Sequence, residues 1–224
     1  WEGRILWGRL VNTSRTFARR VMTILDADTS TRQSLVRKQA AYVHALRLRL
    51  RSEPYAELDR LISDDTRRAI EARSNPPIAL LEQLGDALNA EYKAGNIHAM
   101  HLPLFEEALT SMTEIQGGCE RILTTPIPFS YTVLIHRIVA VYCFGLPFGI
   151  VESVGTFTPF VALLVSYAFL ALDAIGDEIE EPFGSDAQDL PLAALSTMIE
   201  RNVLEAAGAT PLPELLTPQD DILR

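Results

Sequence analysis

One stretch of the chain, Ile138–Leu172, reads IVAVYCFGLPFGIVESVGTFTPFVALLVSYAFLAL and decides the fold class. Its 35 residues carry a single formal charge, Glu152, in a chain of which 22% is charged. A short polar turn with a glycine, residues 152–158, divides the stretch into two apolar segments. About 20 helical residues cross the apolar layer of a bilayer, which is roughly 30 Å thick. We therefore expect a helical hairpin over about residues 129–173.

The two apolar segments leave two environments open for this hairpin. Ile138–Val151 contains 14 uncharged residues and Ser153–Leu172 contains 20. Such lengths suit membrane helices, and they also suit the central helix pair of a soluble bundle. The near absence of charge favours the membrane.

The flanking sequence predicts helices and no clear strand. Leu46–Arg51 alternates as a strand would, but its helical flanks favour helix. The pair Gly117-Gly118 indicates close packing against a neighbour or a bend, since glycine weakens a helix by roughly 1 kcal/mol relative to alanine. Apolar residues recur at helical spacing in residues 2–25, 31–52, 64–73, 77–94, 103–123 and 190–206. We therefore predict an all-α protein.

The composition excludes several protein classes. The 224 residues are 48% hydrophobic with a net charge of −9, which excludes a disordered chain and argues against nucleic-acid partners. The two cysteines, Cys119 and Cys143, exclude a disulfide scaffold, and we expect both to be core thiols. Residues 1–75 carry +6 and residues 76–224 carry −15. Because the chain opens on Trp1, we expect that a natural N-terminal part precedes it.

An acidic stretch follows the hairpin. Three of its carboxylates have four-residue spacing and should share one helix face: Asp173, Asp177 and Glu181. Further carboxylates stand beside them and on the loop beyond Pro182: Glu178, Asp186 and Asp189. Oxygen ligands around a glycine turn suit a hard divalent cation such as Ca²⁺ or Mg²⁺, and a carboxylate ring would shape the field at a pore mouth. The pattern is equally typical of a solvated helix end.

Catalytic motifs are absent, and we assign no catalytic residue. The sequence has no nucleophile elbow, no phosphate-cradling glycine loop and no zinc-protease motif. The acidic helix raises the alternative of an all-helical, Mg²⁺-dependent diphosphate enzyme, but a second aspartate-rich segment and a basic clamp are missing. The four histidines, His44, His98, His101 and His136, are scattered, and we expect surface or capping roles for them.

Several motifs, taken in order, resemble the bacterial branch of the bestrophin family. They are Trp1–Gly8, Gly117–Ile122, Thr125–Thr132, Asp177–Gly184 and Asp189–Leu192, so the resemblance covers residues 1–206 and leaves a tail, 207–224. The opening Trp-Glu-Gly-Arg-Ile-Leu-Trp-Gly is similar to the segment just after the family's second helix. The resemblance therefore implies a bestrophin-like channel domain that lacks the first two helices.

The resemblance also implies an assembly and a function. Bestrophins are helical channels in which five identical chains surround one axial pore, so each chain would have four identical partners and a lipid membrane. The expected location is the bacterial inner membrane, with several spans and a large cytosolic part. The expected cargo is a small monovalent ion, cation or chloride. The alternative from the residues alone is a soluble helical scaffold or interaction protein.

The family places two kinds of site on this sequence. By position, Met100 matches the apolar constriction at the cytosolic pore exit, and Glu178, Glu181, Asp186 and Asp189 match the Ca²⁺ ligands. At two of these positions, Glu178 and Glu181 stand where Ca²⁺-gated members have amide side chains. Ala187 and Gln188 interrupt the acidic loop. We therefore expect weak or no Ca²⁺ dependence and no required cofactor.

Overall fold

The computed structural model describes residues 1–125, 129–186 and 188–218, apart from the side chains of 129–132 and 177–180. The described residues form α-helices and two short 3₁₀ turns, Tyr55–Arg60 and Gly155–Phe157, and no strand. The helices are α1 (Glu2–Ile24), α2 (Thr29–Leu50), α3 (Asp64–Glu71), α4 (Pro76–Lys93), α5 (Leu102–Thr124), α6 (Phe129–Val154), α7 (Thr158–Glu180) and α8 (Leu192–Ala206). The all-α prediction is confirmed.

The chain divides into two compact units. The first consists of Trp1–Ile122 with Phe183–Arg224, and the second of Leu123–Pro182. The predicted division into 1–206 and a tail, 207–224, stays a prediction. Just beyond that boundary, Ala207 and Ala209 are buried in the core of the first unit, so the start of the tail packs there.

Helix α2 is the centre of the first unit. It packs against α1, α4 and α8, and every residue from Gln39 to Leu48 is buried. The apolar residues that recur at helical spacing on this helix are buried, and so are the residues on its other faces between Gln39 and Leu48. A helix that neighbours surround on every side buries its whole circumference. The same geometry excludes the alternative of a strand at Leu46–Arg51.

Helices α1 and α5 approach each other closely at one glycine. A Cβ at Gly118 would lie 2.9 Å from Leu6 Cδ1, whereas one at Gly117 would meet open space. The expected close packing is thus confirmed at the second glycine of the pair. Further along, Phe17 and Phe105 pack edge to face with ring centroids 6.3 Å apart. Cys119 is buried as predicted, whereas Cys143 in the second unit is partly exposed.

A cluster of charged side chains joins α2, the first 3₁₀ turn and α8; His44, Arg47 and Glu200 are buried in it, whereas Glu57 and Arg60 are exposed at its edge. His44 Nε2 lies 2.8 Å from Glu200 Oε2, and His44 Nδ1 lies 3.2 Å from Glu57 Oε1. Arg60 pairs with Glu200, and Arg47 pairs with Glu57. The His44 side chain is 1% exposed, so its predicted surface role is wrong.

The cluster keeps its two carboxylates ionised. Burial alone would raise the pKa of Glu57, but its contacts with His44 and Arg47 outweigh burial and lower the pKa from 4.5 to about 2. Burial also opposes ionisation of Glu200, whose contacts with His44 and Arg60 lower its pKa. Removing one partner of such a cluster leaves a buried charge without compensation, which is strongly destabilising.

The lowered pKa values predict a loss of stability in acid. A carboxylate with a depressed folded-state pKa stabilises the fold above its unfolded pKa and loses that effect as pH falls through the folded value. The free energy of unfolding should therefore decline between about pH 4.5 and about pH 2, and Glu57→Gln should flatten this decline. Denaturant unfolding in detergent at a series of pH values measures it.

The control for this prediction is Glu205→Gln, which removes an exposed carboxylate from α8. Its pH profile should match that of the parent protein. Parallel profiles for the parent and Glu57→Gln would contradict the assignment of the acid response to the cluster.

Candidate functional site

The second unit is a hairpin of α6 and α7. Its turn depends on Gly155, whose φ of +58° lies in the left-handed region that favours glycine. Thr158 begins α7 and donates its hydroxyl to the carbonyl of Gly155 at 2.6 Å. The predicted hairpin is therefore observed, with helices that extend somewhat beyond 129–173.

The helices of the hairpin pack against each other, and two of their side-chain contacts involve aromatic or charged groups. Tyr142 and Phe169 pack with ring centroids 5.0 Å apart. His136 Nε2 lies 3.3 Å from Asp173 Oδ2, so the first residue of the predicted acidic face is engaged with α6. The pair lies toward the open end of the hairpin, far along both helices from Gly155.

The surface of the hairpin is apolar and largely uncovered within the chain. The stretch Val133–Gly176 is long and apolar enough to cross a membrane by length and composition. An 18-residue segment of it has a mean hydropathy of 1.8, and 6% of that segment is buried. Large side chains such as Phe144, Leu164 and Tyr167 are more than two-thirds exposed. A core helix of a soluble bundle would have its apolar residues covered by its own chain.

Met100 lies at the tip of a tight turn in the first unit. Gly95, with φ of +85°, ends α4 as predicted, and Ile97 anchors the turn in the core. The backbone N–H of Met100 donates to His98 Nδ1 at 3.2 Å, and the Met100 side chain is 75% exposed. The turn thus presents one large apolar side chain to the surroundings of the chain.

The predicted acidic helix face ends earlier than its spacing suggested. Helix α7 ends at Glu180, and Glu181 has a ψ of 81°, so Glu181 lies off the helix. The reason is Pro182, because proline disfavours the helical conformation of the residue before it. Asp177 is on α7, as is Glu178, but the side chains of both lie outside the described residues.

The acidic loop beyond Pro182 is closed by protein groups. Asp189 Oδ2 accepts the backbone N–H of Asp186 at 2.7 Å. A Cβ at Gly184 would lie 2.5 Å from the same oxygen, so a larger residue there would displace the Asp189 carboxylate. Arg51 donates to the carbonyls of Phe183 and Leu190, each at 3.2 Å.

Several described features of this loop bear on the predicted metal site. One carboxylate oxygen of Asp189 already caps the loop, and the charge of Asp189 is coupled to the Arg51 guanidinium beside it. Glu181 belongs to the second unit, whereas Asp186 and Asp189 belong to the first. Across the part of the chain that the structure describes, no group of three histidine, cysteine or acidic residues is arranged to hold a metal.

The sequence analysis missed the residues that hold the acidic loop and the charged cluster around His44. Arg51 holds the acidic loop from 132 positions away, and Glu200 meets His44 across 156 positions. Neither arginine spacing nor a lone histidine signals such a contact. His98 and His101 are exposed, and His98 accepts the backbone N–H of Met100, so the predicted surface or capping role is confirmed for these two.

Known proteins of one family match this chain along nearly its whole length. The sequence model of the bacterial/fungal bestrophin proteins matches residues 1–205. A voltage-dependent anion channel-forming protein of Mesorhizobium japonicum is 38% identical over 96% of this chain and 69% of its own length. YneE of Escherichia coli, also named a voltage-dependent anion channel-forming protein, is 36% identical over 97% of this chain and 71% of its own length.

A solved structure agrees with the fold. The crystal structure of a bacterial bestrophin homologue from Klebsiella pneumoniae superposes with a TM-score of 0.90 at 36% identity, covering 94% of this chain and 78% of that one. The match includes the helical hairpin, the Met100 turn and the acidic loop within the residues that the family model covers. The chain therefore belongs to the bacterial/fungal bestrophin family.

Proposed function

We propose that this chain is a subunit of a membrane ion channel that passes small monovalent ions. The observation that carries the proposal is the uncovered apolar hairpin, within which an 18-residue apolar segment is 6% buried, in a chain of the bestrophin family. Lipid is the solvent that such a surface requires. Relatives are named as anion channel-forming proteins rather than as enzymes, which agrees with the lack of catalytic motifs.

The assembly that we propose is a homopentamer around an axial pore, with several membrane spans per chain and a large part in the cytosol. The exposed Met100 side chain, held on an anchored turn, would then form an apolar ring at the cytosolic exit. An apolar ring resists the passage of ions because the constriction dewets. In this arrangement the turn contributes one side chain to a constriction that a single subunit could not form.

The charge selectivity has two opposed indications. The names of the relatives favour anions, whereas the net charge of −15 on residues 76–224 favours cations wherever those carboxylates face the ion path. The sign of the reversal potential under a NaCl gradient assigns the selectivity. A value at the chloride equilibrium potential would remove the cation preference.

The channel proposal predicts flux through liposomes. Protein expressed from its complete reading frame and reconstituted in liposomes should release trapped sodium or chloride faster than empty liposomes do. Detergent-solubilised protein should have the mass of five copies. Liposomes that stay impermeable to both ions would contradict the proposal, as would a monomer in detergent, which the soluble-scaffold alternative expects.

A matched pair of variants controls for membrane insertion. Leu164→Asp places a charge on the exposed hairpin surface and costs about 2.5–3.5 kcal/mol in lipid, so it should lower both membrane incorporation and flux. Leu215→Asp makes the same change in the exposed tail and should leave both unchanged. Equal incorporation of the two variants would show that the hairpin does not enter lipid.

The exit proposal predicts the effect of a polar residue at position 100. Met100→Ser should raise the ion flux severalfold, because a hydroxyl-lined ring wets more readily than an apolar one. Leu215→Ser, which also removes an exposed apolar side chain, should not change the flux. Unchanged flux in Met100→Ser would place the constriction elsewhere.

We also propose that Ca²⁺ does not gate this channel, because Asp189 and Arg51 already close the acidic loop. Flux in micromolar Ca²⁺ should therefore equal flux in a chelator, for the parent and for Asp186→Ala. A micromolar Ca²⁺ threshold that Asp186→Ala abolishes would contradict this proposal.

A further inference from the structure

A cavity of about 390 Å³ opens beside the first half of α2, against the segment that leads into α3. Its lining contains two cationic side chains, Arg37 and Lys38, and no carboxylate. The chain as a whole has 29 acidic and 20 basic residues, so an acid-free lining with two cations departs from its average surface. Hydroxyl groups and two apolar side chains, Leu61 and Ile62, complete the walls.

The two cations of this cavity have no carboxylate partner. Neither Arg37 nor Lys38 lies within 4 Å of an acidic group of any described residue, whereas nearby Arg67 pairs with Asp59 and Asp64. Burial lowers the pKa of Lys38, and the more distant charge of Asp86 only partly opposes this. An anion bound beside Lys38 would relieve that cost of burial.

Some of the lining is already engaged, which narrows the groups that are free to bind a ligand. Gln33 donates to the carbonyl of Ala207 at 3.1 Å, and the Ser63 and Thr66 hydroxyls lie 2.8 Å from each other. Ser30 contacts the capping carboxylate of Asp28. The Ser34 hydroxyl has no hydrogen bond to any described group. Ser34 lies one helical turn before Lys38 on α2.

These groups match the chemistry of a phosphate ester. Arginine binds phosphate oxygens in a planar, bidentate manner, lysine adds a point charge, and a serine hydroxyl donates a hydrogen bond. The cavity volume falls in the range of small-molecule sites, and its apolar wall suits the organic part of such a ligand. We propose that Arg37, Lys38 and Ser34 bind the phosphate of a small soluble organic phosphate in this cavity.

A second cavity next to the first supplies a matched control. It has a volume of about 300 Å³ and shares Ser30, Ser34 and Lys38 with the first cavity, but Glu91 also lines it. Glu91 accepts a hydrogen bond from Asn96 Nδ2 at 2.7 Å and would repel an anion. The phosphate therefore belongs on the Arg37 side, and Glu91→Gln should not weaken its binding.

The test measures binding to detergent-purified protein, so it does not depend on ion conduction. Glycerol 3-phosphate is titrated at constant ionic strength, with sodium chloride as the balancing salt, and the thermal midpoint and the calorimetric Kd are recorded. The midpoint should rise with ligand concentration, as it does for any ligand that binds only the folded state. Arg37→Gln and Lys38→Gln should each weaken binding about tenfold or more.

Control variants distinguish a site from general attraction of anions. Arg19→Gln removes an exposed cation from α1 with the same change in net charge, and it should keep the parent Kd. Ser34→Ala, a small change at an exposed position, should weaken binding without lowering the midpoint of the ligand-free protein. This variant keeps the test decisive if an Arg37 variant fails to fold.

Three results would overturn the proposal. The first is a midpoint that chloride raises as much as glycerol 3-phosphate does. The second is an equal loss of affinity in Arg19→Gln and Arg37→Gln. The third is binding to vesicles that contain phosphatidic acid without any response to soluble glycerol 3-phosphate, which would assign the cavity to a lipid headgroup.

Discussion

The structure depends on one constraint: the apolar surface of α6 and α7 must be removed from water by something other than the chain itself. Apart from the bond that Pro147 removes from α6, both helices form their backbone hydrogen bonds internally, so side chains mainly decide which solvent suits them. Those side chains are mostly apolar over Val133–Gly176, and the rest of the chain covers few of them. The helices pack against each other, with Tyr142–Phe169 and His136–Asp173 among their contacts, and their remaining surface is left for lipid and for neighbouring subunits.

The first unit solves the opposite problem, because it buries charge. The second half of α2 is surrounded by helices, so a polar group there without a partner costs free energy. His44 and Arg47 find partners in Glu200 and Glu57, which ties α8 and a 3₁₀ turn to the central helix. Arg51, at the end of the same helix, extends this role to the acidic loop.

The candidate sites illustrate how a carboxylate's partners determine what it can do. Asp189 caps its own loop, and Asp173 pairs across the hairpin, so neither is a free ligand for a cation. Arg37 and Lys38 present the reverse case, since both line a cavity without a carboxylate. A count of charges along the sequence does not distinguish an engaged charge from an available one.

Local sequence determined the helices, the Gly155 turn, the close approach at Gly118 and the apolar character of the hairpin, because spacing, glycine and charge act over a few residues. The ordered motifs also determined the family. Only the tertiary structure decided that the second half of α2 is buried on all sides, that His44 meets Glu200, that Arg51 closes the acidic loop and that Arg37 faces a cavity. Such contacts join residues up to 156 positions apart, and no periodicity in the sequence encodes which distant side chain will lie opposite.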